Sequence, residues 1–150
     1  MSSPAEDRDS GVIAEFRANR GIVGGVFDGM AILLLHYRGA KSGIERVTPV
    51  AYLEDEGRYV IIASKGGSAK NPSWYHNLKK HPNVTIEVGT DTISVHADEV
   101  NRAERDRLYA AMVAIRPQFG RYAEKTSRVI PVIALTPDGV IAERDADPSD

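Results

Sequence analysis

Through the middle of the chain, short apolar runs and apolar–polar alternations are separated by glycine, proline and acidic turn residues. The run Ala31–Tyr37, AILLLHY, is continuous but too short for a typical helix, and it predicts a strand buried on both faces. Val47–Leu53 and Arg58–Ser64 predict two further strands, joined by EDEG, whose acidic residues and Gly57 suit a hairpin. Asn83–Val88 and Thr92–Ala97 predict another pair turning at GTD, and the alternation in VTIEV and ISVHA implies one buried and one wet face. Val129–Leu135 predicts the last strand.

Helical patterns lie around these strands. Ser10 is a candidate cap for a short helix with Val12, Ile13 and Phe16 on one face and Gly21 as its stop. Pro72 opens a second helix in NPSWYHNLKKHP, with Asn71 as candidate cap and Pro82 as terminator. Asn101–Ile115 predicts a third, with Leu108, Met112 and Ile115 on its inner stripe. A short one follows over roughly Phe119–Thr126. Hairpin-connected strands with peripheral helices predict a mainly β, α+β domain: an antiparallel split β-barrel of about six strands. It is expected to span 11–136, after a polar lead over 1–10 of the kind that stays mobile and before a C-terminal extension over 137–150.

Composition narrows the function. The formal net charge of −2 disfavours general nucleic-acid binding, so any basic function is local. With no cysteine there is no disulfide, thiolate metal site or thiol nucleophile. The start, MSSPAEDRDS, has no apolar signal region, and no run has the length of a spanning helix, so a cytoplasmic protein without a stable membrane anchor is expected.

Two glycine-interrupted basic turns carry the candidate chemistry. Lys41, Ser42 and Arg46 surround Gly43, combining amide donors with a guanidinium fork, as phosphate recognition requires. A basic hairpin alone is more often a solvated loop, and Ala40 and the lack of an upstream Gly rule out a Walker A loop. In the second turn, Ala63-Ser64-Lys65-Gly66-Gly67, the glycines allow close backbone approach, while Ser64 and Lys65 offer donors to an electron-accepting group. Trp74 can stack on a flat ring, although a helical aromatic is more often core. Asn77 is a mid-helix amide that is unfavourable unless its hydrogen bonds are used. His76 and His81 do not share a helix face, and His36 and His96 lie on separate strands, so no metal site is expected. With no GxSxG and no obvious acid–base pair, the chemistry falls to a cofactor.

In order and spacing, FRANRGIVGGVFDGMAILLLHYRGAKSG, IERVTP, YVIIASKGG, NPSWYHNLKKHPNVTIEVG and RVIPVIAL resemble the deazaflavin-dependent nitroreductase family. The resemblance covers roughly Ile13–Leu135, and the combination of GxKSGxxR, ASKGG and PxWxxNL is far more specific than any one part. It implies a split β-barrel that binds the deazaflavin coenzyme F420 and reduces small electron-poor acceptors such as quinones, enones and nitroaromatics. The family's phosphate-side contacts fall on Ala40, Lys41, Ser42, Arg46 and Pro49. Its ring contacts fall on Ile62, Ala63, Ser64 and Lys65, and its helix-side contacts on Ser73, Trp74, Tyr75, His76 and Asn77. Family members often have Arg where this chain has Ala40, and Arg38 is the nearby cation that could replace it.

The family's substrate side is rich in tyrosine, whereas the matching positions here are Arg116, Phe119 and Tyr122. A single remaining phenol bears more on bicyclic nitroimidazole reduction than on quinone reduction. Ser64, Lys65 and Tyr122 are the candidates for stabilising charge on the acceptor. The implied partner is a small-molecule acceptor, with peripheral contact at the inner membrane face if that acceptor is a lipid quinone, and the implied assembly is a monomer or weak homodimer. Two alternatives stay open: an FMN-dependent oxidoreductase on the same barrel, and a non-catalytic carrier of a cofactor or apolar ligand.

Overall fold

The computed structural model describes residues 4–24, 29–39 and 43–143, with side chains described over 10–24, 29–39, 43–65 and 67–138. Its six strands are β1 (Ile32–Arg38), β2 (Glu45–Asp55), β3 (Arg58–Ile62), β4 (Asn83–Val88), β5 (Asp91–Glu99) and β6 (Val132–Glu143). They close into a barrel in the order β1-β2-β3-β6-β5-β4. Every neighbouring pair is antiparallel, and β1 meets β4 through Leu34–Glu87, Leu35–Ile86 and His36–Thr85. Closure removes the open sheet edge that would otherwise recruit other strands. The helices are α1 (Pro4–Ala18), α2 (Ser73–Lys80), α3 (Arg102–Ile115) and α4 (Gln118–Lys125).

Strand alternation divides the apolar residues into three clusters. Leu33, Leu35, Ile61, Ala63, Ile86, Val95, Ile133 and Leu135 fill the barrel, joined by Trp74 and Leu78 from α2. Their outward neighbours Val60, Ile62 and Val132 pack with Leu108, Tyr109 and Met112 of α3 and Phe119 of α4. Ile32 and Leu34 point out on β1 and meet Phe16 and Val23. The β1 run is therefore buried on both faces because α1 covers one of them. At the β2–β3 hairpin, Glu56 and Gly57 both have positive φ, 52° and 79°, the two-residue turn that matches strand twist.

Several boundaries differ from the expectations. Helix α1 begins at Pro4, so it occupies most of the expected lead and Ser10 lies in its interior rather than at a cap. Pro72, not Asn71, stands at the N-cap of α2, because the Asn71 amide oxygen accepts from Arg128 instead. Asn101 caps α3 by accepting from the Glu104 amide at 2.9 Å. Ile115 leaves the inner stripe and is 59% exposed, since the last turn of α3 overhangs a cavity rather than a strand. Strand β6 starts at Val132 and continues to Glu143, pairing with β5 across two register shifts, with Pro137 opposite Val95. Proline, lacking an N–H, is tolerated beside such an irregularity.

The wet face expected for VTIEV is overturned at Glu87, which is only 3% exposed. Arg17 of α1 donates to its carboxylate from Nε at 3.1 Å and Nη2 at 2.6 Å, and His36 Nε2 lies 2.7 Å away. The other ring nitrogen of His36 is 2.7 Å from Glu45. Burial alone would raise the Glu87 carboxyl, but the bonds from Arg17 and His36 outweigh it and hold the group below its ordinary value. Glu87 is the polar anchor that fastens α1 to the barrel.

Candidate functional site at one end of the barrel

In an all-antiparallel barrel of this order β1, β3 and β5 run the same way, so their C-terminal ends emerge together. The β1–β2 connection, the turn after β3, and the entry to β6 therefore share one end. Helix α2, which runs between the turn after β3 and the start of β4, lies at that end and sends Trp74 and Leu78 into the barrel. Topology thus places Gly39 and Gly43, which flank the first basic turn, at the same barrel end as the second.

The second turn is the best-defined part. Ser64, 8% exposed, has an ordinary right-handed backbone, whereas Lys65 has φ +45° and is exposed. A left-handed lysine is unfavourable and persists only where its surroundings enforce it. The Gly67 and Ser68 amides donate back to Ser64 O and Lys65 O at 2.9 and 3.1 Å, and Ser68 Oγ donates to Lys65 O at 2.7 Å. Gly67, at φ +85°, lies so close to α4 that a Cβ there would sit 2.8 Å from Tyr122 O and 2.9 Å from Lys125 Cβ. This contact seats the Tyr122 backbone carbonyl against Gly67, while the Tyr122 side chain packs on Phe119.

Arg128 secures the turn from another side. Its Nη2 donates to Ser64 O at 2.8 Å, its Nε to Ser68 O at 2.9 Å and its Nη1 to Asn71 Oδ1 at 2.6 Å. Burial lowers its pKa, although a guanidinium stays charged. Sequence reasoning missed this residue: it lies 57 to 64 positions from its partners, and no local pattern marks it.

On α2, Trp74 and Asn77 are buried while Ser73 and His76 are exposed. Asn77 is 5% exposed, yet among the described residues its amide has no side-chain hydrogen bond, and no fully buried side-chain polar atom lacks a partner. Its amide atoms are therefore not fully enclosed and can serve a ligand. Tyr75 is committed elsewhere, donating to Glu99 Oε1 at 2.6 Å beside Lys79. Burial and the Glu99 carboxylate both raise the Tyr75 phenol.

Of the first turn, Ala40, Lys41 and Ser42 lie outside the described residues. Their flanks form a tight hairpin, with the Gly39 amide donating to Ile44 O and the Gly43 amide to Gly39 O, both at 2.9 Å. Arg46 follows on β2, exposed and opposite Tyr37, and Pro49 pairs with Leu34. Ile62 points outward beneath α3 and α4, while Ala63 points into the barrel.

The three expected substrate-side residues separate. Tyr122 is half-buried, with its ring edge-on to Phe119 at 5.2 Å and Gln118 Nε2 3.5 Å from its hydroxyl. The Phe119 side chain packs in the core cluster, 5% exposed, and its carbonyl accepts from Tyr109 at 2.5 Å. Arg116 caps the far end of α3. It approaches Gly29 and lines a 360 Å³ cavity with Met30, Leu53, Met112 and Ile115. Arg116 thus stands at the C-terminal end of α3 against Gly29, whereas Tyr122 lies within α4 against Phe119. Among the described residues no acid or histidine cluster could hold a metal, and no helix is long and apolar enough to cross a membrane.

Comparison with known proteins agrees with this geometry. Residues 11–137 match the family model described as F420H(2)-dependent quinone reductase. An F420H(2)-dependent quinone reductase of Mycobacterium tuberculosis (strain ATCC 25618 / H37Rv) is 40% identical over 129 residues, covering 82% of this chain and 85% of that protein. The solved structure of an F420-H2 dependent reductase is 38% identical with a TM-score of 0.64, covering 70% of this chain and 93% of the other. A further structure, described as a domain-swapped dimer, is 34% identical with a TM-score of 0.66, over 89% and 99%. Matched by the family model over residues 11–137 and 40% identical to the Mycobacterium tuberculosis relative over most of both chains, the chain belongs to the F420H(2)-dependent quinone reductase family.

Proposed function

We propose that the chain binds reduced coenzyme F420 at the β1–β2, β3–α2 end of its barrel and reduces quinone-type acceptors there. The observation that carries this is the buried Asn77 amide, left without a side-chain partner beside a turn that holds Lys65 left-handed. A site with an apolar floor at Ala63 and Trp74, an open amide and an exposed cation suits a flat, partly apolar ring with polar edges.

When bound, reduced F420 supplies a hydride to an electron-poor carbon. The chain's own residues do the rest. Arg46, with Lys41 and Ser42 from the sequence, binds the phosphate side, and Pro49 stiffens the strand beside them. Ala63, Trp74 and Asn77 orient the ring beside the Ile62 backbone, with Ser73 and His76 along its rim and the Tyr75 phenol held on Glu99. The α4 backbone packed on Gly67 helps exclude water. Ser64 and Lys65 stabilise negative charge developing on the acceptor oxygen, a stronger effect in a site closed to water. Tyr122 donates a proton to that oxygen, while Arg116, at the C-terminal end of α3, lines the cavity beside Gly29. Enones and nitroaromatics with an accessible electron-poor carbon extend the acceptor range.

The test is anaerobic turnover of reduced F420 with menadione. Oxidation proportional to protein concentration is expected. Tight binding without protein-dependent turnover would instead identify a carrier.

A further inference from the structure

We propose that Arg128 is a positioning residue for this reaction, holding the Ser64–Lys65 turn and the start of α2 in fixed relation; this rests on the proposed F420 site. Its guanidinium uses three separate donors on three acceptors, Ser64 O at 2.8 Å, Ser68 O at 2.9 Å and Asn71 Oδ1 at 2.6 Å. These acceptors mark the end of β3, the middle of the turn and the approach to the α2 N-cap. Between and just beyond them lie Ser64, Lys65, Trp74 and Asn77, the two halves of the proposed ring cradle.

Two features separate this from an ordinary loop contact. The turn carries strain at Lys65 with its φ of +45°, so it needs enforcement from more than one direction, and α4 supplies only the Gly67 side. All three acceptors are neutral, and burial is the largest influence on Arg128, lowering its pKa. A half-buried guanidinium bonded only to neutral acceptors among the described residues gains from using several of its N–H groups at once. The fork here spans eight residues of backbone, which the point charge of a lysine cannot reproduce.

The experiment compares Arg128→Ala, Arg128→Lys and Asn71→Ala in the full chain. Hydrogen exchange of the ligand-free protein is expected to quicken about tenfold or more over residues 65–71 in both Arg128 variants, with β1 and β4 unchanged, and less in Asn71→Ala, which severs one of the three bonds. In turnover, kcat should fall about tenfold or more while KM for menadione changes less than about threefold. Millimolar guanidinium should partly restore Arg128→Ala, and lysine should not replace arginine. Exchange that is unchanged, or that rises equally in the turn and in β1 and β4, would overturn the proposal, as would wild-type kcat in Arg128→Lys. If the Arg128 variants do not fold, exchange and kcat in Asn71→Ala decide alone, with a change confined to the turn in support and no change against. A wild-type protein that neither binds nor oxidises reduced F420 would overturn the proposed function, while the exchange comparison would still decide whether Arg128 braces the turn.

Discussion

Replacing Gly67 by alanine tests whether the Ser64–Lys65 turn is seated directly on α4. Two costs add. At φ +85° an alanine occupies left-handed backbone, unfavourable by about 1–2 kcal/mol. Its Cβ would also stand 2.8 Å from Tyr122 O and 2.9 Å from Lys125 Cβ. Neither atom can rotate away, so either α4 or the turn must shift, and overpacking of this kind costs about 1–3 kcal/mol more. Gly57 is the matched control: its φ is +79° and nothing lies within 4 Å of its Cβ position, so Gly57→Ala bears only the backbone cost. Urea unfolding at equal m values should therefore find Gly67→Ala less stable than Gly57→Ala by about 1–3 kcal/mol. F420 affinity should fall in Gly67→Ala and stay at wild type in Gly57→Ala. Equal stability of the two variants, or wild-type affinity in Gly67→Ala, would refute the direct seating of the turn on α4.

Three further outcomes are expected. Glu87→Gln should destabilise the protein by about 2 kcal/mol, because it strips charge from buried bonds to Arg17 and His36, a figure discounted for the 46% exposure of Arg17. The folded-state pKa of Glu87 lies below its ordinary 4.5, so its contribution is present above that pH and is lost as pH falls through the depressed value. Unfolding measured from pH 6 down to pH 3 should accordingly show a shallower acid loss in Glu87→Gln than in wild type. Tyr122→Phe should lower kcat for menadione about tenfold or more while leaving F420 affinity unchanged, and unchanged kcat would assign the proton to water. Lys41→Ala with Arg46→Ala should weaken F420 binding more than about tenfold, each charge-assisted bond contributing about 1.5–3 kcal/mol; unchanged affinity in a fluorescence titration would place the phosphate elsewhere.

How legible the molecule is from sequence depends on the range of each interaction. AILLLHY shows its two-sided burial in one unbroken run, and the EDEG hairpin shows its turn type in Gly57, because both are local. The Asn77 amide is legible for a similar reason: it is an unfavourable mid-helix choice whose explanation must lie outside the helix. Glu87 is misread because its alternation places it correctly on the outer face, but only the position of α1, 70 residues away at Arg17, turns that face into an interior. Arg128 is invisible for the same reason, since its partners belong to a turn brought near by barrel closure. Ile115 continues a sound helical stripe past the end of the surface it packs on. Ser10 resembles a cap, but the helix starts earlier at Pro4, and capping residues occur inside helices as well. The family resemblance supplied the cofactor, whereas the separate settings of Arg116 against Gly29 and Tyr122 against Phe119 required the packing of α3 and α4.

The central claim is that this barrel end is built for a deazaflavin. A side-by-side equilibrium titration of the purified chain with oxidised F420 and with FMN addresses it most directly. Saturable binding of F420 with FMN at least about tenfold weaker, a difference of about 1.4 kcal/mol, is the predicted result. A clear preference for FMN, or binding of neither, would contradict the account.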